Sequence, residues 1–152
     1  MSICNEQMRG LIGRTCLSLD EENYESFLKN CTDRFSYRVT TYSPELGKEM
    51  VWLEHDRQGY ELLLKMLPQH VRLQGRFTRQ AVVCDVAPDE NDGATVISQL
   101  TVVHTDLDGE SRLLLAGRYV DKVESGESGP LLASREVRLD TRVLGPGIHM
   151  PI

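Results

Sequence analysis

The stretch RLLLAGRYVDKVESGESGPLLASREVRLDTRVL, residues 112–144, decides the fold. Its second half alternates. Val137, Leu139, Thr141 and Val143 fall on one side, and Glu136, Arg138, Asp140 and Arg142 on the other. Period two is the signature of a half-buried strand. The central GESGP carries the glycine and small polar residues of a hairpin reversal. Two strands of 14 residues, 112–125 and 131–144, are therefore expected side by side. Straight strands of that length would run roughly 46 Å, longer than sheets normally allow, so the pair is expected to bend at bulges, with Gly117 a candidate bend.

Working toward the N-terminus, the period stays at two. HVRLQGRFTRQAVVCDVAP runs to the turn DENDG, and ATVISQLTVVHTD runs to LDGES. Together with the first pair this makes a four-stranded antiparallel meander from residue 70 onward. Before it the period changes. Residues 3–17 carry a loose helical stripe of Ile3, Met8, Leu11, Ile12 and Leu17, weakened by Gly10 and Gly13. SLDEENYESFLKNC restarts as a second helix behind a Ser18 or Asp20 cap, with Tyr24, Phe27, Leu28 and Cys31 on one face. FSYRVTTY, 35–42, reads as a strand by its β-branched and aromatic content. SPELGKEM reads as a loop, and WLEHDRQGYELLLKMLPQ as a third helix with Tyr60, Leu63, Leu64 and Leu67 inward and Pro68 at its end. The expected architecture is α+β: N-terminal helices packed on the concave face of a strongly curved antiparallel sheet, the conical arrangement of the nuclear-transport-factor-2-like fold.

The 152 residues are enough for one domain, expected over 1–152, to bury a sizeable core without staples. A net charge of −6 argues against nucleic acid as the main partner. The longest apolar runs fall far short of a membrane span, and MSICNEQMRG lacks the charged and apolar regions of a secretory signal. The cysteines at 4, 16, 31 and 84 match no zinc spacing and suit reduced, structural thiols in a cytoplasmic protein. Cys84, among valines, reads as a small buried hydrophobe.

Chemistry-bearing motifs are sparse. The histidines, His55, His70, His104 and His149, are scattered, and neither HExxH nor GxSxG occurs. No catalytic, cofactor-binding or metal-ligating residue is assigned. A conical fold can hold a small ligand in its mouth, where a pocket Asp or His serves as general base. Tyr37, His55, Asp56, His104 and Asp121 are the residues that would have to converge there, giving a stand-alone isomerase or dehydratase. The plainer account has Asp56 capping the third helix and Asp121 at a polar strand end. Arginine is dense on the strands, at 72, 76, 79, 112, 118, 135, 138 and 142, which suits a solvated sheet face or a partner interface. The sole tryptophan, Trp52, falls in a loop as a candidate intersubunit anchor. Tyr37, Trp52, Arg135 and Arg142 are the expected interface residues. The apolar ending IHMPI is expected to be covered by neighbouring chains.

Three segments in order, DRFSYRVTTYSPELG, LAGRYVDKVES and LLASREVRLDTRVLGPGIHMPI, resemble the small, or beta, subunit of Rieske-type ring-hydroxylating oxygenases. The matching positions are Tyr37-Arg38-Val39; then Gly117, Tyr119 and Asp121; then Arg135, Val137, Leu139, Asp140 and Thr141 ahead of a short apolar tail containing proline. Gln80 stands where that family commonly has a histidine, and the central stretch is closer to terephthalate- or methanesulfonate-type members. The resemblance implies a non-catalytic structural subunit of a dioxygenase or related monooxygenase. It implies a large alpha subunit carrying the [2Fe–2S] cluster and mononuclear iron, an α3β3 assembly, and electron delivery from a ferredoxin or reductase.

Overall fold

The computed structural model describes residues 4–69, 73–144 and 150–152. Helix α1 spans Asn5–Asp20, with Gln7 Oε1 accepting the Cys4 amide at its start. Gly10 and Gly13 do not break it. Met8, Leu11, Ile12, Cys16 and Leu19 are buried, so packing supplies what intrinsic propensity lacks. Neither Ser18 nor Asp20 begins the next helix; both lie inside α1. Helix α2, Tyr24–Lys29, is capped instead by Asn23, whose Oδ1 accepts the Ser26 amide at 3.2 Å.

Strand β1, Cys31–Ser43, outruns the expected 35–42 at both ends. Residues 48–56, expected as loop and helix start, form strand β2, Lys48–Asp56, antiparallel to β1. Trp52 is thus a strand residue. Helix α3, Arg57–Met66, begins where Asp56 Oδ1 accepts the Gly59 amide at 2.8 Å, the capping role expected. A 3-10 turn, Leu67–Gln69, closes it at Pro68.

The meander forms as expected, except that its first strand begins only at Arg76: β3 Arg76–Pro88, β4 Ala94–Thr105, β5 Ser111–Gly126 and β6 Gly129–Leu139. Among the described residues the sheet order is β2-β1-β6-β5-β4-β3, antiparallel except where β1 lies parallel to β6. Strand β6 ends at Leu139, so 140–144 lie beyond the strand expected there. Register shifts fall at Val39/Thr40, Val83/Asp85, Val102/Val103 and Lys122/Val123. Gly117 is not one of these bends. Its register is unbroken, and a Cβ there would stand 2.2 Å from the Arg138 carbonyl oxygen, so only glycine lets β6 approach. Cys84 is the residue skipped at the β3 bulge, and it is exposed rather than buried.

Helix α1 packs against β3 and β6, and α2 and α3 against β1. Between the layers, Phe27, Phe35, Tyr37 and Tyr60 form an aromatic cluster with centroid separations of 4.9–5.9 Å. Each such pair adds about 0.5–1.5 kcal/mol beyond its buried area.

Candidate functional site

Cross-strand register builds the centre of the concave face. Tyr37 on β1 lies beside Arg135 on β6, and Arg135 beside Asp121 on β5. One step along, Val137, Tyr119 and Ser98 make the next row across β6, β5 and β4. Inward parity explains the set. Arg135 shares its side of the strand with Val137 and Leu139, and Asp121 shares its side with Tyr119 and Val123, all buried. The two charges therefore meet inside.

Arg135 Nε donates to Asp121 Oδ1 at 2.9 Å and Nη2 to Oδ2 at 3.0 Å, a bidentate pair with both side chains 0% exposed. Nη2 also reaches Thr15 Oγ1 of α1 at 3.2 Å, and the guanidinium stacks 3.7 Å above the Tyr119 ring. Burial pushes the Asp121 carboxyl above its ordinary value, and the guanidinium pulls only partly against it. Burial likewise opposes the Arg135 charge, but the carboxylate outweighs it and holds the guanidinium above its usual range. As a unit the pair is neutral and sealed. Its carboxylate is already committed to two hydrogen bonds, which leaves it poorly placed to take a substrate proton.

A second buried pair ties α1 to β3. Asp20 Oδ1 accepts from Arg79 Nη1 at 2.8 Å and from the Arg79 amide at 3.1 Å. Arg79 Nη2 donates to the Pro151 carbonyl, and the Ile152 amide donates to the Tyr37 hydroxyl at 3.0 Å. Pro151 and Ile152 are buried in this chain's own core. For these residues the expected covering by neighbouring chains is replaced by an internal one; Ile148 and His149 lie outside the described residues.

The residues of the isomerase reading do not converge. His104 stands on β4 against Phe77 of β3, its Nε2 donating to the Gln74 carbonyl at 2.7 Å. His55 sits on β2, and Asp56 is spent on its cap. Asp121 lies at the sheet centre rather than at a polar strand end. His70 lies outside the described residues. Among the described residues, no three His, Cys, Asp or Glu side chains gather where a metal ion could sit, so these residues do not fit an iron centre.

Of the expected interface residues, Tyr37 and Arg135 are 1% exposed and serve inside the chain. Trp52 is 41% exposed, beside exposed Val51. Arg142 is exposed and pairs with Glu45 at 3.0 Å. The buried pairs Asp20–Arg79 and Asp121–Arg135 were missed as sites. The signal for the latter was legible, because opposite charges sit at apolar-side positions of two neighbouring strands.

No family model matches the chain. It is 38% identical over 134 residues to the beta subunit of 2-aminobenzenesulfonate 2,3-dioxygenase from Alcaligenes sp., covering 88% of this chain and 89% of that protein. It is 35% identical over 159 aligned positions to the beta subunit of the methanesulfonate monooxygenase hydroxylase from Methylosulfonomonas methylovora, covering 97% and 86%. In structure it is similar to the beta subunit of a putative aromatic-ring-hydroxylating dioxygenase from Novosphingobium aromaticivorans. The TM-score is 0.81 at 19% identity, covering 97% of this chain and 95% of that one.

Proposed function

The chain belongs to the beta subunits of Rieske-type ring-hydroxylating oxygenases and their sulfonate-oxidising relatives, and we propose that it is the scaffold of a sulfonate oxygenase whose iron is held entirely by its large subunit. Similarity to beta subunits over nearly the whole of both chains carries this reading. The two relatives are named for an aromatic and an aliphatic substrate that share only the sulfonate group, so that group defines the substrate class. The interior supports a scaffold role, since its charges are spent on each other and its aromatic rings fill the space between the layers. Nothing observed favours the stand-alone isomerase.

In this reading a single domain over residues 1–152 packs with a large alpha subunit as α3β3, placing Trp52 and Arg142 at the contact. The alpha subunit carries the [2Fe–2S] cluster and mononuclear iron and is reduced by a ferredoxin or reductase. The reading places the complex in the cytoplasm, which the unpaired state of all four cysteines suits. Among the described residues no helix is long and apolar enough to cross a membrane.

The test is coexpression of the tagged chain with a large oxygenase subunit from the same source. Copurification in equal amounts is expected, with iron following the large subunit when the two are separated. A chain that elutes alone beside soluble partner, or retains iron after separation, overturns the assignment. Oxygen uptake with benzenesulfonate but not benzene is expected of the complex, and the reverse preference would sink the substrate class.

A further inference from the structure

Of the seven buried side-chain polar atoms without a hydrogen-bond partner among the described residues, four concern the centre of the sheet: Arg135 Nη1, Tyr119 OH, Ser98 Oγ and Tyr60 OH. They belong to one region. Ser98 and Tyr119 are directly opposed on β4 and β5. Arg135 stacks on the Tyr119 ring at 3.7 Å. Tyr60 approaches from the helix layer, its ring 4.9 Å from that of Tyr37, the β1 neighbour of Arg135. All four residues are at most 1% exposed.

The chemistry of the set limits what can satisfy it. Arg135 Nη1 can only donate and the three hydroxyls can donate or accept, so the occupant must accept from at least the guanidinium. The nearby charges already cancel as Asp121 with Arg135, so the occupant is uncharged. The residues are sealed, so it is small. Leaving such donors unpaired is costly and rare, and internal water in proteins characteristically makes about three hydrogen bonds to such groups. A chain of 152 residues carries on the order of five buried waters. The Tyr60 phenol is pushed far above its ordinary value by burial first, and it also senses Arg135 and Tyr119.

We propose that the centre of the cone holds structural water, with internal water accepting from Arg135 Nη1, exchanging hydrogen bonds with the Tyr60, Tyr119 and Ser98 hydroxyls, and joining α3 to the centre of the sheet.

The sign of a stability change tests this on the full chain. Tyr119→Phe keeps the ring beneath Arg135 and removes only the hydroxyl, and Ser98→Ala removes a second one. If the hydroxyls bind water, each variant lowers Tm by about 2–4 °C. If they are orphans, removing them relieves a burden and Tm stays or rises, which overturns the proposal. Oxygen-17 magnetic relaxation dispersion of the wild-type chain supplies a second readout. Long-lived internal water is expected, with a smaller amplitude in Tyr119→Phe. Its absence, or an amplitude the substitution leaves unchanged, also overturns the proposal. Should Tyr119→Phe fail to fold, Ser98→Ala gives the same comparison.

Discussion

Arg135 and Asp121 are the two side chains on which the interior most depends. Removing one strands the other without its charge partner in a sealed core, and breaking such a buried pair costs about 3–5 kcal/mol. Arg135→Met is therefore expected to lower the unfolding free energy, measured by urea titration, by that amount. Arg135→Met with Asp121→Leu should recover most of it, because the stranded charge leaves with its partner. A double variant as unstable as the single would show that shape rather than charge governs the site. Thiol reactivity follows burial in the same way. Exposed Cys4 and Cys84 should alkylate in the native chain, while Cys16 and Cys31 should wait for unfolding, read by mass spectrometry of the labelled peptides.

Alkaline pH probes the same interior. Burial pushes the Cys31 thiol from 9.0 up to about 12, and the Tyr37 phenol from 10.0 up to about 12. Both folded values lie above the unfolded ones, so the unfolded chain loses these protons first. The stability they contribute is full below pH 9 and is lost progressively as pH rises to 12. The thiol accounts for about 4 kcal/mol of that fall and the phenol for about 3 kcal/mol. Urea titrations across this range should show the decline, and Cys31→Ser should remove its earliest part. A stability curve flat from pH 9 to 12 would contradict the burial of both groups.

The close approach of β6 to β5 at Gly117 governs at the scale of elements. Gly117→Ala puts a methyl against the Arg138 carbonyl oxygen, where only 2.2 Å is free, and the strands must part. A loss of about 1–3 kcal/mol is expected by urea denaturation, the usual cost of overpacking. Segment 150–152 is the other element that reaches beyond its local sequence. Ile152 is buried, and its backbone is held through Tyr37. Ile152→Ala should cost about 2–5 kcal/mol, as a core truncation does. An effect within 0.5 kcal/mol, the range of ordinary surface changes, would mean that the side chain is not seated there.

Assembly is a property of the whole molecule, and the residues that could mediate it are those the fold does not use. Trp52→Ala and Arg142→Ala are expected to leave the urea midpoint of the chain nearly unchanged, because one side chain is exposed and the other makes only a surface ion pair. Both should reduce the fraction that copurifies with the large subunit. Full copurification of both variants would move the contact elsewhere on the surface.

Period-two alternation in the four strands of the meander, the turn residues between them, and the stripe on α3 were determined by the sequence alone, because each is a local pattern with a local cause. The beta-subunit resemblance was legible for the same reason, carried by short ordered segments such as Arg135 to Thr141. Strand β2 was not legible: an edge strand pairs on one side only, and its Glu, His and Asp dilute the apolar signal. The inward course of Arg79 and Arg135, the exposure of Cys84 and the seating of Ile152 were decided by tertiary structure. Each depends on a partner distant in the chain or on a bulge that shifts register, as Asp20 lies 59 residues from Arg79 and Tyr37 lies 115 from Ile152. A residue's own neighbours state which side of a strand it occupies. Only the packed layers state whether that side holds water, a partner or the charge that lets an arginine stay inside.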